Sequence, residues 1–195
     1  MDSILISIGV VYEYLSNSER FHNIEGWMND IEGYSLMKLA SFGGGTGEIV
    51  EIGSFHGKST CWIAAGSKSQ GREKVTAIDL FEDGNGDFLH SFMKTIESMQ
   101  VSDYITPLKG RSDEIVRQWH RPIRLLFIDG DHSYEGVKMD YDLWSPFVSL
   151  HGFVAFHDIG QAFPGAVQFY NEVSRLPIYR QYLSVNALRV LIKVG

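Results

Sequence analysis

The residues best suited to chemistry stand where apolar runs stop. Ile128-Asp129-Gly130-Asp131-His132 and Phe156-His157-Asp158 each place titratable groups directly after such a run. If the two runs are neighbouring buried strands, Asp129, His157 and Asp158 meet at one carboxyl edge and can hold a divalent cation, magnesium or manganese by preference. His132 follows Asp129 by three residues, and an imidazole is suited to take a proton near neutral pH, so Asp129 and His132 are the candidate catalytic residues. A third stretch, Ile49-Val50-Glu51-Ile52-Gly53-Ser54-Phe55-His56-Gly57-Lys58-Ser59, reads as strand, tight turn and helix start. That junction gathers backbone N–H groups and the positive end of a helix dipole, and it binds the anionic or polar end of a nucleotide-like cofactor.

The spacing narrows the cofactor. Three residues separate Gly53 from Gly57, one fewer than a P-loop needs. Gly57-Lys58-Ser59-Thr60 and the acid-terminated run Leu125 to Asp129 nevertheless keep a P-loop-like nucleotide-binding protein as an alternative. The Gly-x-Gly-x-x-Gly fingerprint is absent. Asp79, at the end of a second apolar run, can accept hydrogen bonds from both hydroxyls of a ribose, which fits a nucleoside without a pyrophosphate.

These groups need elements that set them at one edge. Apolar runs at Val75 to Ile78, Ile105 to Leu108, Leu125 to Ile128 and Phe153 to Phe156 alternate with helical patterns at about Ser59 to Ala65, Phe88 to Met99, Ile115 to Trp119, Tyr134 to Phe147 and Ala166 to Val173. Arg180 to Leu183 and Leu188 to Lys193 follow, with a turn at Asn186. The alternation predicts an α/β fold, a Rossmann-like doubly wound and mainly parallel seven-stranded sheet with helices on both faces and an antiparallel edge hairpin. Residues 1–40 form an N-terminal helical segment that packs on the sheet edge or caps the cleft, and 41–195 form the domain proper. Between them Gly43-Gly44-Gly45-Thr46-Gly47 precedes the first strand, the wrong end for a ligand, and reads as a flexible linker. A polar loop is expected at Glu82 to Asp87.

Composition restricts the partners. A net charge of -7 on 195 residues argues against a nucleic-acid-binding face and for a small-molecule partner. No apolar run reaches the roughly 18 residues of a membrane span. Ile4 to Tyr12 follows Asp2 where a secretory signal would carry basic residues, so it is expected to be a docking segment of a cytoplasmic protein, and a homodimer is admissible. The single cysteine, Cys61, fits a reducing compartment and a buried helix position.

The chain from about residue 24 onward resembles a known family. Glu51-Ile52-Gly53-Ser54-Phe55-His56-Gly57-Lys58-Ser59 is similar to the first motif of the class I S-adenosylmethionine-dependent methyltransferases, close to its catechol O-methyltransferase variant. Ile128-Asp129-Gly130-Asp131-His132-Ser133-Tyr134-Glu135-Gly136, with Trp144, Pro146, Gly152 and His157-Asp158, resembles the branch of macrocin-type sugar O-methyltransferases and cephalosporin-hydroxylase-like proteins. The resemblance implies that Gly53 and Gly57 let the backbone approach the methionine part of S-adenosylmethionine and that Ser59 bonds its carboxylate. Glu51 would support the loop, Asp79 would hold the ribose, Ser112 would lie near the adenine, and Ser54 and Asp131 would complete the cofactor site. Ser112 also reads as a helix cap. A magnesium ion would orient a small hydroxylated or sugar-containing acceptor and lower its hydroxyl pKa, with His132 as base. Relatives carry an acid where this chain has His157, which implies either an outer position for that imidazole or a softer metal. A non-catalytic relative that keeps the cofactor fold is the remaining alternative.

Overall fold

A computed structural model of the protein describes residues 2–83 and 86–195, with side chains at 10–82 and 88–195. In chain order the elements are α1 (Asp2–Phe21), α2 (Asp30–Phe42), β1 (Glu48–Ile52), α3 (Lys58–Ser69), β2 (Val75–Asp79), α4 (Leu89–Ser98), β3 (Ile105–Lys109), α5 (Ser112–Ile115), β4 (Ile123–Ile128), α6 (Tyr134–Trp144), β5 (Val148–Phe156), α7 (Pro164–Val173), β6 (Tyr179–Val185) and β7 (Leu188–Lys193). Of the expected polar loop, Glu82–Asp83 and Gly86–Asp87 pair as a short antiparallel ladder, while residues 84 and 85 lie outside the described residues.

The seven strands lie in the order β3-β2-β1-β4-β5-β7-β6, parallel from β3 to β5 and antiparallel across β5, β7 and β6. This is the expected doubly wound sheet with its edge hairpin. Side chains alternate between faces along a strand, and both faces are covered, so the central strands are apolar on both sides. Ile49, Leu125 and Phe127 pack beneath α2, α3 and α4, whereas Val50, Leu126 and Ile128 pack against α6 and α7. The register fixes the site: Ile52 pairs with Ile128, and Ile128 with Phe156. Gly53, Asp129 and His157 therefore emerge side by side at the carboxyl edge, where the strand order reverses between β1 and β4.

Two strands begin earlier than their apolar runs. β4 includes Arg124, which is fully buried; its guanidinium donates to Glu73 Oε2 at 2.6 Å and to the carbonyls of Ala40 at 2.7 Å and Leu39 at 3.3 Å. A buried charge is tolerated when it is paired in this way, and here it also satisfies carbonyls in the last turn of α2. β5 starts at Val148, and its register with β4 slips between Val148 and Phe153, where His151 takes a positive φ of 62°.

The glycine linker corrects its expectation. Gly45 lies so close to Gly152 that a Cβ would come within 2.7 Å of its Cα, and at Gly47 a Cβ would meet the Pro122 carbonyl oxygen at 2.1 Å. Thr46 N donates to Ser149 Oγ at 2.9 Å. The segment is glycine-rich because neighbouring backbone passes against it, not because it needs freedom.

The N-terminal segment is two helices. α2 is a layer of the domain itself: at Gly33 a Cβ would strike the Trp62 indole of α3 at 2.3 Å, and at Gly66 of α3 one would strike the Met37 carbonyl at 2.2 Å. α1 lies over α2 through the Tyr14–Tyr34 ring pair and the Lys38–Glu13 ion pair at 2.9 Å. Of the expected docking segment, the side chains of residues 4–9 lie outside the described residues. The loop between the helices turns over the carboxyl edge of the sheet.

Candidate active site

A cleft of about 610 Å³ opens at that edge. Its wall is built from the β1–α3 loop (Gly53, Ser54, Phe55, Lys58, Ser59), from Asp79, from Gly110 to Asp113, from Asp129 to His132, and from His157-Asp158. Gly26, Trp27 and Met28 of the α1–α2 loop close one side. Trp27 is 85% exposed and stacks on Phe55 with ring centroids 5.0 Å apart.

The β1–α3 loop is held from within. Gly53 has φ +87°, and a Cβ there would lie 2.1 Å from the Asp129 carbonyl oxygen, so only glycine lets the two strand ends pass. Asp79 Oδ2 accepts from Ser54 N and Phe55 N, each at 2.8 Å, and Oδ1 accepts from Phe81 N at 2.7 Å. Asp79 therefore fastens the loop as well as facing the cleft. A carboxylate accepts about four hydrogen bonds, so these three leave a direction free for a ribose hydroxyl. Ser59 and Lys58, at the start of α3, also line the cleft, where Lys58 Nζ donates to the His22 carbonyl at 3.2 Å. Gly57 has φ +90° and precedes α3, but its missing Cβ faces Phe92 at 3.1 Å and the residue does not line the cleft; its role is helix entry.

Glu51 is fully buried behind this loop. Its Oε2 accepts from Ser54 Oγ at 3.0 Å and from Thr60 Oγ1, while Oε1 has no partner among the described residues. Burial pushes its pKa up to about 7, against the hydrogen bonds from Ser59, Thr60 and Ser54.

Ser112 is the first residue of α5 and not its cap, which corrects that part of its reading; its hydroxyl donates to Asp140 Oδ1 of α6. Burial raises the Asp140 carboxyl to about 6 despite that bond. Asp131 lines the cleft and accepts from Ser133 N at 2.8 Å, and Gly136 leaves room for its side chain, since a Cβ there would meet Asp131 Cγ at 2.4 Å.

The candidate reaction centre is a cluster of acids and imidazoles. His132 Nε2 lies 2.9 Å from Asp158 Oδ2 and 3.6 Å from Asp129 Oδ1, with its ring against Phe163 at 4.4 Å. Asp129 and then Asp158 raise His132 to about 9 in spite of burial. His157 is turned the other way. Its Nδ1 is 3.2 Å from Asp129 Oδ1 and 3.5 Å from Asp158 Oδ1, and its Nε2 is 3.2 Å from Glu32 Oε2. Burial works against its charge, but the three carboxylates outweigh it and hold the ring protonated. Asp158 sits at φ +57°, and its carboxyl is held well below the usual range: burial opposes this, and His132 and His157 prevail. Such backbone strain is concentrated where a side chain must be aimed.

This geometry revises the expected metal set. Asp129, His132 and Asp158 offer one ligand atom each, all within 4.8 Å of one another, which is the spread a single bound cation requires. His157 has both nitrogens committed to carboxylates, so it supports Asp129 and Asp158 from behind. Two carboxylate oxygens with an imidazole nitrogen suit manganese or zinc better than magnesium.

Sequence reasoning missed Glu32. Its carboxylate is buried, completes a capping box with Asn29 at the start of α2, bonds His157, and accepts from Ala187 N at 2.7 Å. The Asn-x-x-Glu spacing at residues 29–32 signals the cap. Nothing local signals the other two bonds.

A family profile described as a methyltransferase domain matches residues 50–159. Among solved structures, the O-methyltransferase NovP is 14% identical and covers 86% of this chain and 81% of its own, with a TM-score of 0.70. The O-methyltransferase from Bacillus cereus, in complex with SAH, is 18% identical over 95% and 91% with a TM-score of 0.68. CalS11, the TDP-rhamnose 3'-O-methyltransferase of calicheamicin biosynthesis, is 19% identical over 83% and 77% with a TM-score of 0.65. At these identities the likeness carries the fold. The P-loop alternative gives way to these findings: Ser54 and Phe55, whose N–H groups would cradle a phosphate, donate to Asp79 instead. The profile spans the β1–α3 loop, Asp79, Ser112 and the whole acid–imidazole cluster, and by that match the chain belongs to the methyltransferase-domain family.

Proposed function

We propose that the protein is an S-adenosylmethionine-dependent O-methyltransferase acting, with a divalent cation, on a small hydroxylated or sugar-containing acceptor. The observation that carries this reading is the convergence of Asp129, His132 and Asp158 beside the Gly53 loop in one cleft. S-adenosylmethionine would supply a methyl group on a sulfonium, which an acceptor oxygen takes as its proton leaves. Ser59 and Lys58 would face the methionine carboxylate, Gly53 and Ser54 its backbone, Asp79 the ribose, and Ser112 with Asp140 the adenine end. A divalent cation would be held by Asp129 and Asp158 and would polarise the acceptor hydroxyl.

His132 has two uses in this scheme. With both carboxylates bare it is protonated at neutral pH and cannot accept a proton. Positive charge at Asp129 and Asp158 removes the cause of that shift, so His132 becomes either a ligand or the base for the acceptor proton. The Bacillus cereus neighbour's complex with SAH supports the cofactor, and the TDP-rhamnose substrate of CalS11 supports a sugar-bearing acceptor. Trp27 and Phe55 at the cleft mouth offer such an acceptor an apolar surface.

The test is methyl transfer from labelled S-adenosylmethionine to a panel of hydroxylated acceptors, after treatment with chelator and then with manganese, zinc or magnesium added back. Turnover is expected to be restored by the cation and to fall at least about 100-fold in Asp129→Asn. Turnover indifferent to chelator and to Asp129→Asn would remove the metal-assisted reading.

A further inference from the structure

Asp140 is a buried acid that has used only one of its two oxygens. It stands on α6, is 3% exposed, and lines the cleft. Its Oδ1 accepts from the Ser112 hydroxyl at the start of α5. Its Oδ2 has no partner among the described residues yet is not sealed from solvent, so it opens onto the cleft. Gly130, which also lines the cleft, leaves that oxygen uncovered, since a Cβ there would touch Oδ2 at 3.4 Å. Arg111 in the same corner gives its Nε to Asp113 Oδ1 at 2.9 Å, while Asp131 and Asp113 add negative charge around Asp140. Burying a carboxylate with a single hydroxyl partner is unfavourable, and an N–H from a ligand in the cleft would offset that cost.

The sheet fixes which part of a ligand reaches this oxygen. β2 and β3 are neighbours with Asp79 opposite Lys109, and Gly110 N donates to Asp79 O at 2.9 Å. The Gly110 to Asp113 loop therefore borders the cleft just beyond Asp79, on the side away from β1. A cofactor with its methionine end at the β1–α3 loop and its ribose at Asp79 would put its base in that corner. The corner offers apolar contact from Leu80, which is 44% exposed, and from Met139, and one free acceptor from Asp140. Adenine carries an exocyclic amine, a donor, where hypoxanthine carries a carbonyl, and a carboxylate accepts from the first and repels the second.

We infer that Asp140 is the residue that selects the base of the cofactor: its Oδ2 accepts a hydrogen bond from the exocyclic amine of adenine, and Ser112, by donating to Oδ1, holds the carboxylate in that direction. The inference rests on the methyltransferase reading for the identity of the cofactor and goes beyond it in naming the atom that tells adenine from other purines. Ser112 is on this account a positioning residue that acts through Asp140.

The test is calorimetric titration of the full chain at pH 7.5, above the Asp140 pKa of about 6, with S-adenosylhomocysteine and with S-inosylhomocysteine, which has a carbonyl in place of the amine. The wild type is expected to bind the adenosyl ligand at least about 30-fold more tightly than the inosyl one. In Asp140→Asn, whose amide both donates and accepts, the ratio should fall below about threefold, because the inosyl ligand gains where the adenosyl ligand loses. Ser112→Ala keeps the acid and removes its holder, and its ratio should fall at least about threefold, which answers for the case in which Asp140→Asn does not fold. A wild-type ratio below about threefold, or a ratio unchanged in the variants, overturns the assignment. An unchanged ratio with both ligands weakened alike is what a carboxylate that merely ties α6 to α5, or one that faces the methionine ammonium, would give. Each of those results leaves the methyltransferase reading standing, whereas a wild type that binds neither ligand overturns that reading and the inference with it.

Discussion

Glu51 keeps a proton that an exposed carboxyl would have lost. Its folded pKa, about 7, lies above the ordinary 4.5 because it is fully buried. Between those values the folded chain binds more protons than the unfolded one, so stability falls as pH rises through this window and levels off above it. Glu51→Gln removes that dependence. The stability of the variant relative to wild type should therefore climb by up to about 3 kcal/mol from pH 4.5 to pH 8, measured by urea denaturation at each pH. A difference that does not change with pH would show that Glu51 ionises normally. At Gly53 the constraint is steric, with φ +87° and backbone 2.1 Å from any Cβ. Gly53→Ala should lower stability by more than about 2 kcal/mol and abolish cofactor binding, and thermal melts with and without S-adenosylhomocysteine will read both.

At the scale of elements, the candidate reaction centre is held in place by a helix outside the matched profile. Glu32 joins α2 to His157 at the end of β5 and to Ala187 in the β6–β7 turn, across 125 and 155 residues of sequence. Glu32→Gln breaks a buried ion pair and should cost about 3 kcal/mol in urea denaturation, whereas Asn29→Ala, which removes only the cap, should cost about 1 kcal/mol. Equal costs would mean that Glu32 is merely a cap. These long-range partners explain what the sequence could and could not disclose. The strand ends at Ile52 before Gly53, at Asp79 and at Ile128 before Asp129 are legible because a buried parallel strand is a short apolar run that ends abruptly. Arg124 hid the start of β4, since nothing nearby in sequence announces Glu73 and the α2 carbonyls as its partners. The exchange of roles between His132 and His157 was equally hidden: which imidazole faces the cleft depends on the left-handed turn at Asp158 and on Glu32 behind it.

Taken whole, the molecule divides its work across one sheet edge. The β1–α3 loop, Asp79 and Ser112 form one end of a cleft, the acid–imidazole cluster forms the other, and the α1–α2 loop with Trp27 closes the mouth. Among the described residues no helix is long and apolar enough to cross a membrane. On the proposed function cofactor binding would be separable from catalysis, because Asp79 and the Gly53 loop would hold the cofactor while His132 would serve the acceptor. The most direct measurement is calorimetric titration of S-adenosylhomocysteine into the wild type and Asp129→Asn. Binding with Kd at or below about 100 µM in both, joined to loss of methyl transfer in the variant alone, is the predicted result. Absence of binding to the wild type at that concentration would contradict it.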